Sequence, residues 1–155
     1  MEKIESFKIN HLNLFSGLYV SRKDSYNNQI VTTFDLRFTA PNRETPLSFP
    51  AMHTLEHLGA TYFRNSEIKE QVVYFGPMGC RTGFYLVLFN EWSAEKLFSF
   101  VISFCDYVIS FNGDIPGATA KECGNYLEQD LEKAKIYAKK YKSDLLEYKR
   151  FVYPE

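Results

Sequence analysis

Apolar and charged residues alternate in the segment Phe34-Asp35-Leu36-Arg37-Phe38. A period of two is typical of a β-strand that has one face in a hydrophobic core and the other in solvent. The segment therefore predicts a half-buried strand within an extended stretch at residues 30–39, and it places Arg37 on the solvated face. Further extended segments are predicted at residues 7–14, 72–75 and 84–89, the last of which is fully apolar.

Two helices are predicted from serine residues that are suited to cap them. Ser48, followed by a proline in the first turn, precedes a helix expected at residues 51–63. Ser93 precedes a long helix expected to reach about residue 111. Serine is favoured at such positions because its hydroxyl accepts a hydrogen bond from an unpaired backbone N–H of the first turn.

A third helix is predicted from Thr119-Ala120-Lys121-Glu122, which has the form of a capping box. It is expected to carry Cys123 in its first turn and to continue to about residue 141, with a last short helix at residues 144–152. Strands followed by helices, without strict alternation, predict an α+β fold with a largely antiparallel sheet packed with helices.

Length and composition limit the possible classes of protein. The chain has 155 residues, which suits a single domain over residues 1–155, and its net charge of −1 does not indicate a nucleic-acid partner. The longest apolar stretch, at residues 97–109, contains polar residues and is too short to span a membrane. The charged first ten residues do not resemble a secretory signal.

The cysteine and aromatic contents indicate the compartment and the assembly state. The three cysteines, Cys80, Cys105 and Cys123, fit no disulfide framework and predict a reducing cytoplasm. Cys105 lies in an apolar helical segment and is expected in the core. Aromatic residues make up 17% of the chain, and this favours an oligomer because aromatic side chains are common at interfaces.

The segment His53-Thr54-Leu55-Glu56-His57 carries the pattern of a metal site. On a helix, residues i and i+4 lie on one face, so the two imidazoles can converge on a divalent ion. The H-x-x-E-H order also occurs in inverted zincins, where the glutamate activates water. The alternative is a pair of surface or capping histidines with no ligand role.

Cys123 is the candidate third ligand. In the first turn of a helix the positive end of the macrodipole favours a thiolate, which is the form that binds metal. Two histidines and one cysteine leave a fourth coordination position open, as in catalytic sites, and suit Zn²⁺, Fe²⁺ or Co²⁺. The alternative for this residue is a small buried hydrophobic side chain.

Cys80 has a different context, between Gly79 and the segment Arg81-Thr82-Gly83. A turn of this composition presents a thiol to a pocket, where it is a competent base. His11 on its own is more often a structural histidine than a site residue, and Ser6 on its own is uninformative.

Together these segments resemble the S-ribosylhomocysteine lyase family, LuxS. The resemblance covers nearly the whole chain, and the two longest blocks are each specific. The matching segments are Glu5-Ser6-Phe7, His11, Phe34-Asp35-Leu36-Arg37-Phe38, His53-Thr54-Leu55-Glu56-His57-Leu58, Pro77-Met78-Gly79-Cys80-Arg81-Thr82-Gly83-Phe84-Tyr85, Ile115-Pro116 and Cys123-Gly124.

The resemblance implies an α+β fold of the LuxS/MPP-like metallohydrolase type and a homodimer with active sites at the subunit interface. It implies cleavage of S-ribosylhomocysteine to homocysteine and 4,5-dihydroxy-2,3-pentanedione, the precursor of autoinducer-2. One divalent metal per subunit is implied, natively Fe²⁺, with Zn²⁺ or Co²⁺ possible. The implied roles are metal ligation by His53, His57 and Cys123, acid–base chemistry by Glu56 and Cys80, and substrate contact across the interface by Ser6, His11 and Arg37.

Two segments depart from the family pattern. Residues 72–76 lack the acidic residue and the serine that family members often carry there, and Thr119-Ala120 replaces the usual Asn-Glu. Two alternatives therefore stand beside the lyase. One is an inverted-zincin-type metallopeptidase, and the other is a catalytically degenerate homologue that keeps the metal for stability.

Overall fold

A computed structural model describes residues 2–155, apart from the side chains of Glu5 and Ser6. Four α-helices and four β-strands follow one another in this part of the chain. They are α1 (Glu5–Lys8), β1 (Gly17–Tyr26), β2 (Gln29–Arg37), α2 (Phe49–Asn65), β3 (Val72–Pro77), β4 (Gly83–Phe89), α3 (Ala94–Ser110) and α4 (Leu131–Tyr148), with a short 3₁₀-helix at Lys69–Gln71 before β3.

The four strands form one sheet in the order β1-β2-β4-β3, and every neighbouring pair is antiparallel. This confirms the predicted α+β class with an antiparallel sheet. β1 and β2 are joined by Asn27 and Asn28, both with positive φ (47° and 62°). Two such residues in succession match the tight hairpin turns whose twist fits that of the strands.

One face of the sheet and the three long helices enclose the core. Phe34 and Leu36 of β2 are fully buried together with Leu55 of α2 and Phe104 of α3. Since side chains alternate along a strand, this confirms the apolar half of the period-two pattern. None of the helices in residues 2–155 has both the length and the apolar character needed to cross a membrane.

The opposite face of β2 differs from the prediction. Asp35 and Arg37 are 0% and 2% exposed, so the expected solvated position of Arg37 was wrong. Tyr153, near the C-terminus, donates a hydrogen bond to Asp35 Oδ2 at 2.8 Å. Arg37 Nη2 lies 2.6 Å from the same oxygen, so the two charges remain paired under this cover.

The predicted helix at residues 119–141 was also wrong in its bounds. Thr119 accepts hydrogen bonds from the N–H groups of Glu122 and Cys123, but this single turn does not continue. The helix begins at Leu131 instead, where Asp130 caps it by accepting from Lys133 N at 2.9 Å. It then runs without a break to Tyr148, so there is no separate helix at residues 144–152.

The N-terminal region also differs from the extended segment expected at residues 7–14. α1 occupies Glu5–Lys8, and Asn13 N donates to Asn10 O in a turn. Asn10 Oδ1 also accepts a hydrogen bond from Leu12 N at 3.1 Å. Asparagine competes for backbone N–H groups in this way, which favours turns over strands.

Candidate active site

Helix α2 orients the two histidines of the site. Leu55 and Leu58 on one side of the helix are fully buried in the core. His53, Glu56 and His57 are half-buried. Because the apolar side of α2 is fixed by packing, both imidazoles are fixed on one face, as their i, i+4 spacing predicts.

The side chains of His53, His57 and Cys123 converge. The two Nε2 atoms lie 3.0 Å apart, and Cys123 Sγ lies 3.4 Å from His53 Nε2. The ligand atoms of all three residues lie within 4.8 Å of one another. A tetrahedral zinc ion separates two imidazole nitrogens by about 3.3 Å and a nitrogen from a thiolate by about 3.6 Å. The two measured distances are within about 0.3 Å of these values, so the cluster can hold a metal ion.

Two backbone carbonyls determine the tautomer of the histidines. His53 Nδ1 donates to Glu128 O at 2.9 Å, and His57 Nδ1 donates to Pro116 O at 2.7 Å. A carbonyl oxygen only accepts, so each Nδ1 carries the proton and each Nε2 presents a lone pair. Two lone pairs that face each other at 3.0 Å repel, and a cation bound by both removes this repulsion. Such carbonyl partners are typical of histidines that ligate metals.

The loop at residues 111–130 brings the third ligand to α2. Cys123 lies in a turn and not in a helix, so a helix macrodipole does not act on it as predicted. Asn125 N instead donates to Cys123 Sγ at 3.4 Å. At Gly117, which has φ of +72°, an added Cβ would lie 3.3 Å from His57 Nδ1, so this glycine lets the loop pass close to the histidine.

Glu56 precedes His57 on α2 and is half-buried. Among the described residues it has no hydrogen-bond or ion-pair partner. A carboxyl group without such a partner can accept a proton when ionised, or donate one when protonated, without first breaking a contact within the protein.

Cys80 lies at the tip of the β3–β4 hairpin and is exposed. Its sulfur lies 3.1 Å from Thr82 Oγ1 and 3.9 Å from Arg37 Nη1. Arg37 Nη1 also donates to Thr82 Oγ1 at 2.6 Å. Burial alone would lower the pKa of Arg37, but the adjacent Asp35 carboxylate reverses this and the pKa is raised. The guanidinium therefore remains charged beside the thiol.

His11 and Cys80 line one cavity of about 450 Å³. His11 Nδ1 donates to Ile9 O at 2.9 Å, which leaves its Nε2 free to accept a hydrogen bond. The expected site residue Ser6 has its side chain outside the described part of the chain. A larger cavity of about 540 Å³ lies between α2 and α3, and its lining includes none of the described candidate residues.

Sequence reasoning missed several supporting residues. No sequence pattern indicated that the backbone carbonyls of Pro116 and Glu128 would accept hydrogen bonds from the histidines. Pro116-Gly117 was recognisable only as a break in the chain. Thr82 was noted only as part of a turn. Tyr153, which contacts the Asp35–Arg37 pair, had no local signal.

The fold and the site define a class: an α+β protein with a three-ligand His₂Cys cluster that can hold one metal ion. The chain belongs to the family described as S-Ribosylhomocysteinase (LuxS), whose profile it matches over residues 4–151.

Relatives support this membership over the full chain. A protein of Finegoldia magna named S-ribosylhomocysteine lyase is 49% identical, with 100% of both chains covered. One of the same name from Clostridium beijerinckii is 47% identical over 99% of both chains. Another, from Borreliella burgdorferi, is 50% identical over 91% of this chain and 90% of its own.

Proposed function

We propose that this protein is an enzyme that cleaves the thioether of S-ribosylhomocysteine. The products are homocysteine and 4,5-dihydroxy-2,3-pentanedione, the precursor of autoinducer-2. The observation that carries the proposal is the convergence of His53, His57 and Cys123. The same helix as the two histidines carries Glu56, whose carboxyl group has no partner among the described residues. The names of the relatives supply the substrate.

The reaction needs proton transfers at carbon. The sugar carbonyl must move from C1 to C2 and then to C3, and each move removes a proton next to the carbonyl and returns it one carbon along. When bound, the metal supplies Lewis-acid stabilisation of the negative charge that develops on the sugar oxygens. Residues of this chain must carry the protons.

Cys80 and Glu56 are suited to carry them. Cys80 is exposed, and the positively charged Arg37 places its Nη1 3.9 Å from the sulfur. Glu56 is held by the same helix as the two histidines, so its carboxyl group stays close to a sugar bound at the cluster. Positioned proton carriers of this kind accelerate a reaction by about 10² to 10⁴-fold each.

The last step breaks the carbon–sulfur bond. Once the carbonyl is at C3, the proton on C4 is acidic and one of the two carriers removes it. The electron pair forms a double bond between C4 and C5, and the sulfur leaves C5 as the thiolate of homocysteine. The enol that remains tautomerises to the dicarbonyl product, so the reaction consumes no oxidant or reductant.

The metal is proposed to be Fe²⁺ in the cell, with Zn²⁺ or Co²⁺ as substitutes. A ligand set of two imidazoles and one thiolate binds all three ions. The three free thiols of the chain support the reducing cytoplasm as its compartment.

The active enzyme is proposed to be a homodimer in which each site draws on both subunits. Within one chain Arg37 contacts Cys80, and His11 lines the same cavity as Cys80. If Arg37 and His11 contact the substrate across the subunit interface, then Cys80 of the same chain must lie in that active site as well. We assign Cys80, Arg37, His11 and Ser6 to one half-site, and the three metal ligands with Glu56 to the half-site of the other subunit.

The proposal is tested by measuring the release of free thiol from S-ribosylhomocysteine by the Fe²⁺- or Co²⁺-loaded protein. The His57→Ala variant serves as the control for the cluster. Thiol release by the wild type and its loss in the variant are expected. A folded, metal-loaded dimer without thiol release would contradict the proposal, and peptide cleavage by it would favour the metallopeptidase.

A further inference from the structure

The C-terminal tail, residues 149–155, is attached to the sheet and to the N-terminal region. Leu18 N donates to Arg150 O at 3.0 Å, and Asn13 Nδ2 donates to Glu155 O at 3.3 Å. Between these contacts the ring of Tyr153 stacks on that of Tyr19, with centroids 4.7 Å apart and planes inclined by 16°. The tail therefore has a defined position over the outer face of the sheet.

Tyr19, Asp35 and Tyr85 lie opposite one another on β1, β2 and β4, so their side chains share this outer face. The Tyr153 hydroxyl enters this row and donates to Asp35 Oδ2 at 2.8 Å. Burial raises the pKa of the Tyr153 phenol, and the Asp35 carboxylate raises it further. The hydroxyl therefore remains a proton donor to Asp35 at neutral pH.

Asp35 connects this hydroxyl to Arg37. The oxygen that accepts from Tyr153 also accepts from Arg37 Nη2 at 2.6 Å. Burial raises the pKa of Asp35, while Arg37 and the hydrogen bond from Tyr153 act in the opposite direction. The Tyr153 hydroxyl is therefore one of the interactions that keep Asp35 ionised and able to hold the guanidinium.

The other end of the guanidinium faces the proposed proton carrier. Arg37 Nη1 lies 2.6 Å from Thr82 Oγ1 and 3.9 Å from Cys80 Sγ. A planar guanidinium held at Nη2 has its Nη1 direction fixed as well. The groups that interact electrostatically with Asp35 or Arg37 from the surrounding elements include Tyr153, His11, Tyr19, Tyr85, Tyr141 and Cys80.

We propose that Tyr153 is a positioning residue of the active site: through Asp35 it holds Arg37 in the orientation that places its charge beside Cys80. The C-terminal tail thereby acts on Cys80 through two other residues, and none of its described contacts is with His53, His57 or Cys123. An effect of the Tyr153–Asp35 contact on catalysis rests on the proposed role of Cys80 in the lyase reaction. The contact itself can be tested without that reaction.

Removal of the hydroxyl should release Arg37. In Tyr153→Phe the ring can still stack on Tyr19, but Asp35 Oδ2 loses one of its two donors. A carboxyl group in so buried a place is then more readily neutralised, and it holds the guanidinium less firmly. Cys80 then loses the fixed positive charge that lies beside its sulfur. Because only a thiolate reacts with alkylating agents and a nearby cation favours a thiolate, alkylation is expected to slow.

The matched control is Tyr19→Phe. It removes a phenol hydroxyl from the same stacked pair, but that hydroxyl donates to Phe15 O at 3.0 Å and not to Asp35. If loss of a hydroxyl only loosened the tail or the stacked Tyr19–Tyr153 pair, the alkylation of Cys80 would slow equally in both variants. Loss of the contact to Asp35 affects only Tyr153→Phe. Circular dichroism and urea unfolding of both variants establish that each is folded.

The experiment is the rate of iodoacetamide alkylation of Cys80 in the metal-loaded protein, measured across about pH 5 to 9. Mass spectrometry of the tryptic peptide that ends at Arg81 separates Cys80 from Cys105 and Cys123. Tyr153→Phe is expected to react about threefold more slowly than wild type at neutral pH, with its pH profile moved to higher pH. Tyr19→Phe is expected to follow the wild type.

The proposal is overturned if Tyr153→Phe reacts at the wild-type rate, or if both variants slow equally. Faster alkylation would overturn it too, because it would mean that Arg37 stays beside Cys80 without the hydroxyl, with its charge less compensated by Asp35. Lyase activity is measured separately in the same samples. Slowed alkylation with unchanged thiol release would uphold the positioning of Arg37 and count against the proposed role of Cys80.

Discussion

The Nε2 atoms of His53 and His57 lie 3.0 Å apart, and each imidazole is held in place by a backbone carbonyl bound to its Nδ1. The protein thus holds the lone pairs of two imidazoles facing each other. This arrangement suits a cation that binds both nitrogens. Metal binding by these two histidines is therefore distinct from the proton transfer proposed for Cys80.

Two cysteine variants should separate metal binding from catalysis. Cys123→Ala removes a ligand and is expected to lower metal content sharply, because two imidazoles alone hold a divalent ion weakly. Cys80→Ala is expected to keep its metal but to lose about 10² to 10⁴-fold in the rate of thiol release, since it removes only the proposed proton carrier. Metal analysis and a thiol assay on the same samples check both expectations. A Cys80→Ala variant that turned over at the wild-type rate would show that another group carries the proton.

Substitution of Gly117 should weaken metal binding more than substitution of Gly113, a second glycine with a positive φ. Gly117→Ala places a methyl group 3.3 Å from His57 Nδ1, at the position of the contact to Pro116 O. Disturbing such supporting contacts typically costs about 10 to 100-fold in metal affinity. Gly113→Ala is the matched control, because Gly113 also has a positive φ but an added Cβ meets nothing within 4 Å. Metal affinity is measured by competition with a chromogenic chelator. Equal affinity of the two variants would contradict the role given to Gly117 in the support of His57.

The proposed division of each site between two subunits predicts complementation. Cys80→Ala and Glu56→Gln homodimers should each be nearly inactive. After subunit exchange, half of the dimers are mixed and each mixed dimer has one intact site, so about a quarter of wild-type activity should return. If Cys80 and Glu56 served the same site from one chain, mixing would restore nothing. Native mass spectrometry confirms that mixed dimers have formed.

Buried tyrosines predict a loss of stability in alkali. Burial raises the pKa of Tyr19 to about 12, and it raises the pKa of Tyr141 well above its ordinary value of 10.0. Between pH 10 and these higher values the unfolded chain releases protons that the folded protein keeps, so the free energy of unfolding falls as the pH rises. The stabilisation is fully present below pH 10 and is lost through the folded-state pKa.

Urea unfolding at rising pH measures this loss. Tyr141→Phe removes one such group together with its hydrogen bond to Gly17 O. The variant should be less stable at neutral pH and should lose less stability in alkali than the wild type. Tyr26→Phe, at an exposed position, controls for the loss of a phenol group. An alkaline loss as steep in Tyr141→Phe as in the wild type would count against this assignment.

The sequence predicted the part of the site that depends on local periodicity. His53 and His57 lie on one face of a helix because their spacing requires it, and α2 exists because its apolar residues recur on the opposite side. The structure also brings Cys123 to them, although the local structure predicted around it was wrong. The capping pattern at Thr119 forms a single turn, and Gly124-Asn125 follow it with no helix. A loop is sufficient to place one ligand.

The burial of Asp35 and Arg37 could not be predicted in the same way. Their alternation with apolar residues indicates a strand, but it does not show what covers its polar face. That cover includes Tyr153, which is 118 residues away along the chain. β1 was missed for a related reason: only its first three residues are buried, and Arg22, Lys23 and Asp24 give its exposed half no apolar alternation.

The most direct test of the proposed function is to measure both products of the metal-loaded wild-type protein in one reaction. Free thiol reports homocysteine, and an aromatic 1,2-diamine traps the vicinal dicarbonyl of 4,5-dihydroxy-2,3-pentanedione. Carbonyl migration followed by elimination predicts that the two appear in equal amounts and that removal of the metal stops both. Thiol without dicarbonyl would mean simple hydrolysis of the thioether, and the absence of both would mean that this chain does not act on S-ribosylhomocysteine.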